Sequence, residues 1–179
     1  MGQDKALLPM GKNTLLDFTH HKLEATQLFD EIVVCRNQQN HSDNFTFLPD
    51  IQTGLGPIGA LHTLSVHYSS HCVLVVPVDM PLLQQELIEE LCESGLQLLS
   101  AAHFEGYHFP LLIFLDDTTI FHLAKRLIQD VDDLSIASLL RDIDAHQLAP
   151  PKDKSPFINL NNQEEWRGFV GNLDSIKTC

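Results

Sequence analysis

Seven consecutive residues, Cys72-Val73-Leu74-Val75-Val76-Pro77-Val78, are apolar or proline, and the next residue is Asp79. A run this short and this uniformly apolar predicts a strand buried on both faces, inside a sheet covered by helices. A carboxylate at its exit is costly unless it reaches solvent, a hydrogen-bond donor or a cation. The chain is thereby constrained to a layered fold in which a buried strand delivers an acid to an edge.

The rest of the chain alternates helix and strand. Apolar residues at Leu15, Leu16, Phe18, Leu23 and Leu28 have a helical period and predict a helix over 13–28, capped by Asn13 or Thr14. Residues 31–36 and 45–50 predict strands, the second ending on Asp50. The glycine-rich turn at 54–59 opens a helix running to about Tyr68. After the 72–78 strand come a helix over 83–93 stopped at Gly95, strands at 98–103 and 108–115, and helices at 118–131 and 135–143. A Pro/Lys/Asp-rich loop at 150–156 precedes a last strand over 157–161, and Asn162 with Glu165 is placed to cap a final helix. Strands alternating with helices predict an α/β domain with a mostly parallel sheet and helices on both faces. No repeat, low-complexity segment or linker divides the sequence, so one domain over 1–179 is expected. In such sheets ligands bind beyond the carboxyl ends of the strands, which directs attention to Asp50, Asp79 and Asn161.

Composition narrows the function. The formal net charge of −13 argues against a nucleic-acid surface, which needs a basic patch. It also repels phosphorylated ligands at long range. An anionic ligand would need local positive charge from a lysine, backbone N–H groups or a divalent cation held by carboxylates. No segment approaches the ~20 apolar residues that span a bilayer, and the N-terminus lacks a secretory pattern. Cys35, Cys72, Cys92 and Cys179 are scattered and form no CxxC pair, so a reducing cytoplasm is expected, with neither zinc site nor disulfide framework. None of the ten histidines has ligand spacing such as HExxH, and the His20-His21 pair falls on a predicted exposed helix face.

Four local patterns bear on chemistry. Asp4-Lys5, beside Gly2 and ahead of a helix, is either a solvated surface pair or a lysine delivered to a phosphate. Asp79 either caps the following helix or ligates magnesium as a hard oxygen donor. Gly54, Gly56 and Gly59 with Pro57 either turn a corner or bring backbone close to a base or phosphate. Asn159 and Asn161 lie two apart on one strand face and serve turn formation and capping, or polar contacts to a ligand.

Taken together, these blocks resemble the molybdenum cofactor guanylyltransferase family, nucleotidyltransferases of Rossmann-like fold that join GMP to molybdopterin. Residues 1–8 are similar to the end of that family's LAGGxSxRMGxDKxLL signature. Pro49-Asp50 with Gly56-Pro57-Ile58-Gly59 resembles its second block, and Pro77-Val78-Asp79-Met80-Pro81-Leu82 its PCDxPxL metal block. His108-Phe109-Pro110-Leu111 resembles a short block around a proline, and Ile158-Asn159-Leu160-Asn161 with Glu164-Glu165 the C-terminal NxNTPEE block. Asn162-Gln163 stands where the family has Thr-Pro, and an asparagine cap can replace threonine there.

The resemblance implies roles. Lys5 would contact the GTP phosphates and offset charge as pyrophosphate leaves. Asp79 would hold Mg2+, and both residues would be catalytic. Gly56 and Asp50 would help seat the nucleotide, and Asn159 and Asn161 would face molybdopterin or the catalytic centre. Lys5 and Asp79 are thus expected to share one cleft. Transient contact with molybdoenzymes or cofactor-delivery proteins is implied as well. The family carries a strand and the LAGGxSxR loop upstream of the position of Met1. A chain lacking that first strand is expected to lose much of the triphosphate cradle and to turn over poorly or not at all. A molybdopterin cytidylyltransferase, another nucleotidyltransferase of the fold and a catalytically impaired molybdopterin-binding protein are the alternatives. The paired asparagines look more like the guanylyl branch.

Overall fold

The computed structural model describes residues 4–37, 45–128 and 134–160, arranged in two compact units. The first comprises Met1–Asp30, Val76–Ile88 and Pro151–Cys179, and the second Glu31–Val75 and Glu89–Pro150.

The first unit opens with a 3₁₀ turn over Lys5–Leu7, capped by Asp4, whose carboxylate accepts the Ala6 N–H at 3.1 Å. A short antiparallel hairpin, β1 (Pro9–Met10) with β2 (Asn13–Thr14), leads into helix α1 (Leu15–Thr26). Of the two expected caps, Thr14 takes the position. Its Oγ1 accepts the Asp17 N–H at 3.2 Å, while Asp17 Oδ2 accepts the Thr14 N–H at 2.7 Å, a reciprocal capping box. Leu15 and Leu160 form a small core with Leu8, Met10 and Val78 packed against it.

In the second unit β3 (Val33–Cys35) pairs in parallel with β4 (Thr46–Leu48), and α2 (Gly56–His67) follows. β5 (Cys72–Val75), β6 (Ala102–Phe104), β7 (Leu111–Phe114) and β8 (His146–Leu148) form a four-stranded sheet ordered β5-β7-β6-β8. Helix α3 (Gln85–Leu98) contributes to both units, and α4 (Asp117–Ile128) and α5 (Ile136–Asp142) complete the second. The main core joins Ile58, Leu61 and Leu64 of α2 to Leu111 and Ile113 of β7, Leu123 of α4 and Leu139 of α5. Each such side chain contributes about 1.5–3 kcal/mol on burial. Arg126, only 6% exposed, ties α4 to α5 by donating to Ser138 Oγ and to Asp142 Oδ2, at 3.1 and 2.7 Å. Its guanidinium holds the Asp142 carboxyl below the usual range.

The α/β layering follows the sequence reading, but several details differ. The four-stranded sheet is mixed rather than mostly parallel: β7 runs antiparallel to both β5 and β6, and only β6–β8 is parallel. The apolar run is not buried on both faces as expected: Cys72 is exposed and Val73, Leu74 and Val75 are half-buried, at one end of the four-stranded sheet. It ends as a strand at Val75, because Pro77 has no N–H to give a ladder. Asp79 therefore sits in a turn four residues beyond β5, not at its last position. The expected strand over 157–161 is a 3₁₀ turn, Ser155–Phe157, followed by non-strand backbone to Leu160. Asn161 and the expected final helix lie outside the described residues. β8, with the sequence His-Gln-Leu, escaped the hydrophobic pattern because it is an edge strand with its first two residues exposed.

Gly95 does not stop its helix, which runs on to Leu98. A Cβ there would run into the Leu112 side chain and stand 3.1 Å from the Ser100 carbonyl oxygen. Glycine is needed for close packing of α3 on the sheet. Replacing it sets a helix-propensity gain of about 1 kcal/mol against an overpacking cost of about 1–3 kcal/mol. The neighbours are a 3%-exposed leucine and a backbone carbonyl, so neither yields cheaply. Gly95→Ala is expected to lose about 1–2 kcal/mol of stability in urea unfolding; a more stable variant would show that the space is not needed.

Candidate active site

Lys5 and Asp79, 74 residues apart, meet. Lys5 Nζ donates to Asp79 Oδ2 at 2.9 Å, with the side chains 31% and 18% exposed. Local rules explain how each arrives. Asp4 caps the turn, so the neighbouring Lys5 is presented from a short element of set direction. The two members of the Asp-Lys pair thus do different work: one shapes backbone, the other carries charge to a distant carboxylate.

Asp79 is held by its backbone. The turn between β5 and α3 carries buried residues Met80, Pro81 and Leu83, so its carbonyls need donors. Helix α1 supplies them. Thr19 Oγ1 lies 3.4 Å from the Val78 carbonyl, a weak contact, and Lys22 Nζ donates to the Pro81 and Leu83 carbonyls at 2.5 and 2.8 Å. From the other side the Leu160 N–H donates to the Asp79 carbonyl at 3.0 Å. Within the turn, Leu83 N–H reaches the Met80 carbonyl at 3.2 Å. The turn is pinned at three of its carbonyls, those of Asp79, Pro81 and Leu83, from two segments distant in sequence, whereas the Thr19 hydroxyl gives its shorter bond to the Leu15 carbonyl at 3.0 Å.

Lys22 went unnoticed in the sequence, yet it carried a signal. It shares one α1 face with Leu15, Thr19 and Thr26, all buried. A lysine on a buried stripe must satisfy its ammonium, and this one also stands 4.8 Å from the centre of the Phe18 ring. Burial lowers its pKa to about 8.

The other predicted residues are placed as follows. Asn159 is exposed, next to the Leu160 amide that reaches Asp79. Asp50 and Gly56 belong to the second unit. Asp50 is paired with Asn37, accepting from its Nδ2 at 3.1 Å and returning its own N–H to Asn37 Oδ1 at 2.8 Å. Gly56 begins α2 with φ +56°, exposed, and with open space where a side chain would project. No side chain caps that helix, and its second residue, Pro57, has no N–H to offer. A cavity of about 530 Å³ near β6 and α5, lined by His103, His108, Arg141 and Asp144, contains none of the predicted residues.

The donor set decides what cation could bind. Among the described residues no three His, Cys, Asp or Glu side chains cluster, so there is no all-protein metal cage. A single fixed carboxylate suits magnesium, which is usually held by one or two carboxylates together with substrate phosphates and water.

The family described as MobA-like NTP transferase domain matches residues 1–148. A molybdenum cofactor guanylyltransferase of Xanthomonas euvesicatoria pv. vesicatoria (strain 85-10) is 29% identical over 172 residues, 95% of this chain and 87% of that protein. One from Vibrio parahaemolyticus serotype O3:K6 (strain RIMD 2210633) is 25% identical over 177 residues, covering 97% and 89%. Among solved structures, molybdopterin-guanine dinucleotide biosynthesis protein A from Archaeoglobus fulgidus superposes with a TM-score of 0.72 at 16% identity, over 97% of this chain and 92% of that one. The 2-C-methyl-D-erythritol 4-phosphate cytidylyltransferase of Thermus thermophilus superposes with a TM-score of 0.71 at 17% identity, over 95% and 94%. At such identities the two structures establish the fold alone.

The depressed Lys22 pKa has a consequence of definite sign. Below about pH 8 the folded chain bears the cost of a buried ammonium in full. Between about 8 and the ordinary 10.5 the folded state sheds this proton before the unfolded one does, so the cost is relieved and stability rises. Relative to Lys22→Met, which has no such group, the wild type should gain stability across that window in denaturant titrations. A parallel course of the two curves would show that Lys22 titrates normally.

Proposed function

The chain belongs to the MobA-like NTP transferase domain family, and on that premise we propose that it transfers GMP from GTP to molybdopterin and releases pyrophosphate. The observation that carries the reading is the Lys5–Asp79 pair, an ammonium and a carboxylate 2.9 Å apart on an anchored turn.

A triphosphate draws the Lys5 ammonium off Asp79, since three phosphates attract a cation more strongly than one carboxylate does. Asp79, released from Lys5, would be the residue that holds Mg2+. Bound Mg2+ would supply charge neutralisation at the phosphate oxygens. The molybdopterin phosphate attacks the α-phosphorus of GTP in line, forming one P–O bond as the bond to the β-phosphate oxygen breaks. Lys5 offsets the charge that develops on departing pyrophosphate. No covalent enzyme intermediate is needed, because positioning and charge stabilisation carry most of such a reaction. Gly56 and Asp50 serve nucleotide binding, as the likeness to the family implies. Asn159 serves the molybdopterin side, with Asn161 beside it in sequence. The reaction is assigned to the cytoplasm, with hand-over of product to molybdoenzymes or cofactor-delivery proteins.

A second reading has one specific support: the same fold occurs in a cytidylyltransferase, so architecture does not choose the base. Turnover of GTP and of CTP with molybdopterin and Mg2+, followed by pyrophosphate release, separates the two. GTP should be the substrate used, and CTP turnover alone would refute the guanylyl assignment. Lys5→Met and Asp79→Asn should each lower kcat by about 10²–10³, with folding intact by circular dichroism. Full activity in either variant would remove the pair from the reaction.

A further inference from the structure

We infer that Lys22 is a positioning residue: its ammonium clamps the turn that presents Asp79 to Lys5. The inference rests on the proposed role of Asp79 and adds a residue to which neither the family match nor any motif assigns a part. Three observations carry it. Lys22 Nζ donates to two carbonyls of one turn, Pro81 and Leu83, which lie two and four residues beyond Asp79. Its stem runs along the buried face of α1, and the Phe18 ring backs the charge. The Leu160 N–H donates to the Asp79 carbonyl at 3.0 Å, so Lys22 holds the residues after the acid while a second segment holds the backbone of the acid itself.

The residue type fits the task. An ammonium offers three donors that rotate freely, whereas a serine or threonine at this position could satisfy only one carbonyl. Proline at 81 fixes its own φ within the turn that the Leu83 N–H closes on the Met80 carbonyl, and the next carbonyl, that of Pro81, takes its donor from Lys22. A charged donor to a neutral carbonyl is stronger than a neutral one, which offsets burying the group. Two backbone carbonyls as its hydrogen-bond partners are the pattern of a lysine used as a structural donor. Lys5, by contrast, faces a carboxylate and is the cation that a polyanion can draw away.

The test compares wild type with Lys22→Met, which keeps the stem and removes the donors, and with Lys22→Arg, which restores them. Amide hydrogen exchange supplies the readout that needs neither nucleotide nor turnover. In Lys22→Met the amides of Leu83 and Leu160 should exchange about tenfold faster, while those of Leu112 and Ile113 in β7 keep their rates. Lys22→Arg should recover at least part of the protection. In the assay, Lys22→Met should raise the Mg2+ concentration for half-maximal rate about tenfold, with a smaller change in KM for molybdopterin. Unchanged exchange at Leu83 and Leu160 overturns the inference. So does equal acceleration at β7, which would make Lys22 a general stabiliser, and so does local loosening with an unchanged Mg2+ dependence. Absence of both GTP and CTP turnover, even with the family's upstream strand and LAGGxSxR loop added ahead of Met1, sinks the functional reading by itself, and the exchange pattern then decides Lys22.

Discussion

Backbone that leaves helix and strand and yet turns inward must still find partners for its carbonyls, and in this molecule that requirement fixes the catalytic candidate. The turn beyond β5 carries Met80, Pro81 and Leu83 in buried positions, and its carbonyls are met by Lys22 of α1 and by the Leu160 amide. Buried carbonyls left bare would cost about 1–3 kcal/mol each. The side chain of Asp79 is thus placed by interactions that its own carboxylate does not make. The small core of Leu15 and Leu160, with Val78 against it, packs the same segments together, so apolar contact and hydrogen bonding act on one turn from the same neighbours.

Charge is handled locally in an acidic chain. A net charge of −13 opposes any polyanion at a distance, but screening shortens that field to about 8 Å at physiological salt. Within that radius, what matters is the arrangement of single groups. Lys5 resting on Asp79 neutralises the carboxylate and keeps the ammonium near where it is needed. Lys22, only seventeen residues after Lys5 in sequence, carries the same charge into a different role because it faces carbonyls rather than a carboxylate.

Much of the fold was legible because its rules are local. Asn13 and Thr14 marked the start of α1, where Thr14 takes the cap, and the uniform apolar run from Cys72 announced a strand, though not how deeply it would be buried: Cys72 is exposed and the rest of β5 half-buried. The misreadings share one cause, the tertiary surroundings. Gly95 looks like a stop signal, but it lies inside the last turn of α3, where Leu112 and the Ser100 carbonyl crowd its face and leave no room for a side chain. β8 hides because an edge strand needs little apolar surface, and strand direction is invisible because periodicity along one strand says nothing about its neighbour's orientation. Of the candidate site, Lys5 and Asp79 were visible as residue types at turns. Lys22 was visible only as an odd lysine on a buried stripe.

The residues alone determined that an α/β layering would carry an acid past an apolar strand and a lysine, beside Asp4, ahead of a helix. Those are consequences of side-chain period, proline geometry and short-range hydrogen bonding, which need no knowledge of distant contacts. Only the folded chain decided that these two groups would stand 2.9 Å apart, and that a second lysine would hold the turn beneath one of them. Distances between segments 74 residues apart are set by which buried donors and acceptors, and which apolar faces, find each other on folding.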